Sequence, residues 1–267
     1  MIQLQSVMSL VRDWSGGNIE DVLASFDPPS DISTAVISIE VKNGMTKSGI
    51  GDAARQVHVA QSYLSGINRE NSRVYRAGFI GYVRNFDVNP SLVPRGVDAV
   101  LSTPRLNEAV LQDAIVTTIA YARIAGDDSP IDGDQIQILR KMFHAHKKGK
   151  LTGPLTQLFD YGRNGYFQDC VRPNFPEYKR GADFSRDFIG VRGVVFEMYF
   201  ACAFHRVDPH GKALVRTIFQ EGSMRSDIDV LFVTTADRLP SILKELNSDY
   251  GILSRYSVDF KEKLKKL

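Results

Sequence analysis

The sequence has few of the features that assign a function directly. It contains two cysteines in 267 residues, which is too few for a disulfide framework or a cysteine-rich zinc site. It lacks a glycine-rich phosphate loop of the Walker type and a HExxH metal motif. No run reaches the roughly 18 apolar residues of a membrane span, and the N-terminus lacks the basic-then-apolar pattern of a secretory signal. These absences predict a cytoplasmic protein with reduced thiols and no membrane association.

Neither sign of charge dominates the composition. Lys and Arg number 33 against 31 Asp and Glu, so the net charge of 33 − 31 = +2 argues against a chromatin-like polycation and against an acidic tail protein. Hydrophobic residues make up 43 % and charged residues 24 % of the chain, as in ordinary globular proteins. The length allows one large domain or two small ones, with a core that needs no covalent staples.

Hydrophobic periodicity predicts an α/β protein with a helical middle region. We expect an α/β core in residues 1–100, a helical and irregular insertion or substrate-facing region in 101–190, and a C-terminal α/β segment in 191–267 that packs on the same core. The predicted helices are Met1–Trp14, Asp52–Leu64, Asn107–Ala125, Asp134–His146, Val191–Phe204 and Leu239–Leu246. The predicted strands are Asp21–Phe26, Thr34–Lys42, Val74–Val83, Ala213–Gln220, Ile228–Thr234 and Ile252–Phe260.

Two charged residues on the clearest strand carry the chemical signal. Glu40 and Lys42 are two residues apart in Thr34–Lys42, so both side chains leave the same face of the strand. A hairpin turning at Pro28 and Pro29 would bring Asp21 near Glu40. Two carboxylates with a lysine beside them suit Mg²⁺, which prefers oxygen ligands, and a water activated for hydrolysis.

The segment Asp21…Glu40-Val41-Lys42 resembles the PD-(D/E)XK nuclease superfamily, in which an acid precedes an acid-x-Lys strand by tens of residues. The next helix strengthens the resemblance because it carries Gln56, and the apolar strand Val74–Val83 follows it. The resemblance covers about residues 15 to 85. The sequence departs from the family pattern in having Glu20, rather than proline, before Asp21. Asp27 or Asp31 would serve as the first acid if the hairpin turns elsewhere.

The resemblance implies a restriction-endonuclease-like mixed central sheet flanked by helices, and Mg²⁺- or Mn²⁺-dependent hydrolysis of DNA. In this interpretation Asp21 and Glu40 hold the metal, Lys42 orients the attacking water, and Gln56 positions the lysine or a phosphate. The resemblance further implies a role in restriction, phage defence or DNA repair. It also implies a homodimer for cutting both strands and a possible partner ATPase or translocase.

Acidic residues near the C-terminus form a second group. Glu197 on a buried helix and Asp229 on a following strand resemble the first two motifs of restriction-type nucleases, displaced to follow the acid-x-Lys strand. Either they complete the same site in permuted order, with Asp229 as a further metal ligand, or they belong to a degenerate second copy. The alternative is a nucleotidyltransferase, in which Asp227 and Asp229 follow Gly222-Ser223 and Asp259 on a later strand supplies a third carboxylate.

A run of cations follows the second helix of the middle region. Its members predicted to contact nucleic-acid phosphates are Arg140, Lys141, Lys147, Lys148 and Lys150. The same run also fits a solvated helix end, where cations complement the helix dipole. A non-catalytic nucleic-acid-binding protein is therefore a further alternative to the nuclease.

Overall fold

A computed structural model describes residues 26, 33–43, 47–66, 74–83, 93–126, 129, 131–160, 165–221 and 224–267. These residues form two compact units. One unit contains Leu106–Tyr199, and the other contains the described residues up to Arg105 together with Phe200–Leu267. The predicted helix Met1–Trp14 and, apart from Phe26, the predicted strand Asp21–Phe26 lie outside the described residues.

The second unit is built on one six-stranded mixed sheet, so the coarse α/β prediction is confirmed. Its strand order is β4-β5-β1-β2-β3-β6. Strands β1, β2 and β3 run parallel to one another, while β5 pairs antiparallel with β1 and β4, and β6 pairs antiparallel with β3. The strands are β1 Thr34–Lys42, β2 Val74–Tyr82, β3 Ala99–Ser102, β4 Lys212–Glu221, β5 Met224–Thr235 and β6 Leu253–Tyr256.

Strand β1 lies at the centre of this sheet, within the bounds that its β-branched sequence predicts. All residues from Thr34 to Glu40 are buried, because β1 has a neighbour on each edge and other elements on both faces. Over Thr34–Ile39 one edge pairs with β2 and the other with β5. Both edges of Thr34–Ile39 are therefore occupied by described strands, and the segment predicted to form a hairpin with this strand lies, apart from Phe26, outside the described residues.

Helix α1, Lys47–Gly66, packs on the face of the sheet that carries the polar residues of β1. Its predicted apolar stripe is confirmed, since Ala53, Val57, Ala60 and Leu64 are all buried. The side chain of Gln61 donates to the Ser38 hydroxyl at 2.7 Å and so ties α1 to β1. The helix begins five residues before the predicted Asp52 and so includes Gly49 and Gly51, despite the low helix propensity of glycine.

Gly78 sets how closely α1 approaches the sheet. A Cβ atom at Gly78 would lie 2.5 Å from Cγ1 of Val57 and 3.1 Å from Cγ of Gln61. We expect Gly78→Ala to lower the free energy of unfolding by about 1–3 kcal/mol, because the added methyl overfills a packed contact. Chemical denaturation of both proteins measures this difference. Gly133→Ala is the matched control, since nothing lies within 4 Å of its Cβ position, and equal losses in both variants would contradict the packing argument.

The unit that contains Leu106–Tyr199 is mainly helical, as predicted for the middle of the chain. Asn107 caps its first helix by accepting from two backbone N–H groups, and Asp132 forms a capping box at the second. In the rest of the region predicted as helical and irregular, the described residues from 148 to 190 contain three short helical turns and the start of a long helix. The helices are α2 Glu108–Ala125, α3 Gly133–Lys147, the 3₁₀ helix Leu155–Phe159, the π-helical turn Phe167–Val171, α4 Arg172–Asn174 and α5 Gly181–Val207, whose last residues belong to the sheet unit.

Among the described helices, α5 is long and apolar enough to cross a membrane by length and composition. Most of its apolar window is buried inside the protein, and the core helix of a soluble protein passes the same test, so this finding is weak evidence for a span. Every residue from Val194 to Phe204 is buried.

The end of the chain differs from prediction. Strand β6 covers only Leu253–Tyr256, and the chain then forms α7, Val258–Leu264, capped by the hydroxyl of Ser257. The Ser257 cap stops the strand because it satisfies a backbone N–H at the start of a helix. Helix α6, Leu239–Tyr250, precedes β6 after a 3₁₀ turn, Ala236–Arg238. The short strand β3 lacks a long apolar pattern and was not predicted.

Candidate active site

The acid-x-Lys pair of β1 forms a compact polar cluster with α1. Lys42 Nζ donates to Glu40 Oε1 at 2.5 Å and to Gln56 Oε1 at 2.9 Å. The Glu40 side chain is 5 % exposed, whereas that of Lys42 is 28 % exposed. Ser38 has a small side chain and Gly78 has none, so α1 can lie close to the sheet. This close approach brings Gln56 within reach of Lys42. The carboxylate is therefore buried while the ammonium faces an opening.

Strand β5 adds Asp229 to this cluster. The antiparallel register pairs Ile39 with Val230, and continuing it by one pair sets Asp229 opposite Glu40 on the same face. The backbone N–H of Val41 donates to Asp229 Oδ2 at 2.7 Å, which fixes the aspartate side chain beside β1. Residues that are 189 positions apart in sequence thus form one site.

The two carboxylates of the cluster are held in a poorly solvated environment. Burial, followed by the charge of Asp229, raises the pKa of Glu40 from 4.5 to about 8. The Lys42 ammonium opposes this increase but does not outweigh burial and the second carboxylate. Burial also raises the pKa of Asp229, against the bond from Val41 N–H, and the nearby carboxylate of Asp227 raises it further.

Arg216 on β4 lies beside this cluster, and no pattern in the sequence predicted it. The β4–β5 ladder pairs Val215 with Val230 and Thr217 with Ile228, so Arg216 lies at the position opposite Asp229. Its φ of 54° places it in the left-handed region, which is unusual for a residue other than glycine. Its positive charge acts to lower the pKa of Asp229. An arginine in a strained backbone conformation beside buried carboxylates is typical of a functional site.

No family model, curated protein or solved structure matches this chain. The interpretation of the site therefore depends on its own geometry and chemistry.

The donors of the cluster fit a magnesium ion. Three carboxylates, those of Glu40, Asp227 and Asp229, interact here with two cations, Lys42 and Arg216. The described residues contain no group of three His, Cys, Asp or Glu side chains placed to hold a metal. Mg²⁺ nevertheless needs only one or two carboxylates, since it keeps several of its waters. Glu40 and Asp229 supply that pair, and a divalent cation would offset the cost of ionising both in a buried place.

The other predicted acids are distributed differently. Asp21, with the alternatives Asp27 and Asp31, lies outside the described residues, so its role as a metal ligand stays a prediction. Glu197 is buried on α5 within the helical unit, and its catalytic role also stays a prediction.

The structure contradicts one part of the nucleotidyltransferase alternative. Asp259 is exposed on helix α7 rather than on a strand, and it acts on the pKa of Asp98 instead of that of Asp229. Asp259-Phe260-Lys261 also reads as acid-x-Lys in the sequence, but residues two apart on a helix do not share a face, so it does not reproduce the arrangement of Glu40 and Lys42. Gly222 and Ser223 lie outside the described residues.

The predicted nucleic-acid-binding cations gather at the end of α3 in the helical unit. Lys141 pairs with Glu177 at 2.5 Å, with both side chains about half exposed, and such a surface pair contributes little to stability. Lys147 lies over the ring of Phe143, at 5.4 Å from its centroid. Lys148 and Lys150 follow the helix and are exposed, and Arg140 lies on the face of α3 toward α2.

The raised pKa of Glu40 predicts a pH-dependent stability. The folded protein binds the proton of the Glu40 carboxyl more tightly than the unfolded chain does. Protonated Glu40 therefore stabilises the folded state fully below pH 4.5, and this stabilisation is lost as the pH rises through about 8. In EDTA we expect the free energy of unfolding to fall across this window by up to about 1.4 kcal/mol per pH unit from this group. Chemical denaturation of wild type and Glu40→Gln at several pH values isolates the effect. If the free energy of unfolding depended on pH in the same way in both proteins, the predicted effect of Glu40 would be contradicted.

Proposed function

We propose that this protein is a Mg²⁺-dependent deoxyribonuclease that hydrolyses phosphodiester bonds at the cluster on β1. The observation that carries the proposal is the position of Lys42 Nζ, which bonds both Glu40 and Gln56 while Asp229 lies against the same strand. An acid-x-Lys strand with a second carboxylate beside it is the arrangement that the PD-(D/E)XK resemblance implies. Mn²⁺ would serve in place of Mg²⁺.

Each residue has a distinct role in this proposal. Glu40 and Asp229 would hold the metal, which when bound would supply a Lewis acid for the phosphate and a more acidic water. Lys42 donates to the attacking water and orients it, and Gln56 holds the lysine in position. In hydrolysis the water oxygen bonds to phosphorus, one ester bond breaks, and the leaving oxygen takes up a proton. Arg216, whose charge already acts on Asp229, would pair with a phosphate oxygen of the substrate.

The pairing of β5 with β1 supports the interpretation in which the C-terminal acid completes the same site in permuted order. Because Asp229 and Glu40 lie on one face of the same sheet, this pairing favours a single restriction-endonuclease-like site over a degenerate second copy of the site. A homodimer for cutting both strands, a partner ATPase or translocase, and a role in restriction, phage defence or DNA repair remain predictions from the resemblance.

The proposal is tested by incubating the protein with supercoiled and linear plasmid in Mg²⁺ or Mn²⁺, beside an EDTA control. We expect cutting that requires the metal and that excess EDTA abolishes. Metal-independent cutting would place the activity elsewhere or in a contaminant. Salt-sensitive DNA binding with no cutting in either metal would favour the non-catalytic nucleic-acid-binding alternative.

A further inference from the structure

Helices α2 and α3 enclose a groove of about 550 Å³ on the helical unit, which we call the basic groove. Its apolar floor is formed by Val116 and Ile119 of α2 and by Phe143 of α3. All three side chains are partly exposed, whereas Ile115, Thr118 and Met142, which precede them in sequence, are buried. The floor therefore offers an apolar contact surface that the described part of the chain leaves open.

The rim of the basic groove is positively charged. Arg123, Arg140, Lys141 and Lys147 contribute to it, and no Asp or Glu is among the residues that line it. The Nε atom of Arg140 is buried and has no hydrogen-bond partner in the part of the chain that the structure describes. The groove thus fits a ligand that is both apolar and anionic.

A strand of nucleic acid with unpaired bases has this combination. Binding sites for single strands combine cations that follow the backbone with apolar and aromatic surfaces on which bases stack. In a duplex the bases are already stacked inside the helix, so its phosphates could reach the rim but nothing would cover the floor. Lys147 Nζ lies over one face of the Phe143 ring, 5.4 Å from its centroid, which places a phosphate-binding charge at this aromatic side chain.

We propose that the basic groove binds single-stranded nucleic acid, with an unpaired base against Val116, Ile119 and Phe143 and the backbone phosphates on the cationic rim. This inference rests on the proposed function in taking nucleic acid as the substrate. It adds that the substrate carries an unpaired segment, such as a free strand, an overhang or a flap.

Binding in EDTA tests this inference without any cleavage. The probes are fluorescein-labelled oligodeoxythymidine and a blunt duplex of mixed sequence, followed by fluorescence anisotropy. We expect the single strand to bind about 10-fold tighter or more than the duplex. Because stacking on an aromatic side chain contributes about 1–3 kcal/mol per base, Phe143→Ala should weaken single-strand binding by about 5- to 150-fold. Binding of the duplex should remain unchanged in this variant.

Three further variants separate recognition from a folding defect. Phe143→Tyr keeps an aromatic ring and should retain single-strand binding. Arg140→Ala should weaken binding and reduce the salt slope by about one, as expected when one phosphate contact is lost. Arg172→Ala, an exposed arginine in the same unit, makes the same change of charge outside the groove and should leave the affinity and the slope unaltered.

The outcomes distinguish this inference from the nuclease proposal. Equal affinity for the blunt duplex, or unchanged single-strand binding in Phe143→Ala, would overturn the groove assignment even if the protein cuts DNA. Retained single-strand binding by a protein that never cuts would support the groove and reject the nuclease. A synthetic amphipathic helix of Glu and Leu that binds while both oligonucleotides fail would assign the groove to a protein partner and overturn the inference.

Discussion

Replacing Lys42 with alanine is expected to lower metal-dependent DNA cleavage by about 10²- to 10⁴-fold, the range associated with losing one positioned proton-donating or proton-accepting group. Lys42 Nζ bonds Glu40 and Gln56, and its side chain is more exposed than that of Glu40, so it is well placed to contact water or phosphate. The rate of plasmid nicking under saturating Mg²⁺ measures the loss. DNA binding in EDTA should change little.

The control for this variant is Lys261→Ala, which removes an exposed lysine of α7 in the same unit. Its cleavage rate should equal that of the wild type. If Lys42→Ala cuts normally, the nuclease centre is not on β1, and binding of nucleoside triphosphates to the C-terminal acids would then be measured. A nucleotidyltransferase centred on Asp227 and Asp229 predicts that result.

Replacing Asp229 with asparagine is expected to abolish both Mg²⁺ binding and cleavage. Asparagine keeps an oxygen that can accept from Val41 N–H, so the fold should be preserved while the charge is lost. Loss of outer-shell partners already costs about 10- to 100-fold in metal affinity, and loss of a ligand should cost at least as much. Isothermal titration with Mg²⁺ measures the affinity, and plasmid nicking measures the activity.

This variant has a second, independent readout. Asp229 raises the pKa of Glu40, so Asp229→Asn should lower that pKa and shift the loss of stability in EDTA to lower pH. Asp237→Asn, at an exposed position of the same unit, should alter neither property. Normal cleavage together with an unshifted stability profile in Asp229→Asn would show that the two carboxylates do not share a site.

Local sequence was sufficient for much of the fold. The β-branched run Thr34–Lys42 and the apolar run at Val74 were predicted almost to the residue, because strands buried on both faces are continuous and apolar. The apolar stripe of helix α1 was predicted from helical periodicity. Prediction failed where pairing or capping decides the structure: β3 is too short to carry a pattern, and the Ser257 cap turns the predicted last strand into a helix.

The sequence by itself indicated the residues at the centre of the candidate site: Glu40 and Lys42 from their spacing on one strand, and Gln56 from the resemblance to the PD-(D/E)XK superfamily. Only the tertiary structure decided their partners. Asp229 reaches Glu40 because β5 occupies the edge of β1 where a local hairpin was predicted, and Arg216 reaches Asp229 because β4 follows β5 in the sheet. Strand order is set by long-range pairing between distant segments, and periodicity within a single segment contains no information about its neighbours.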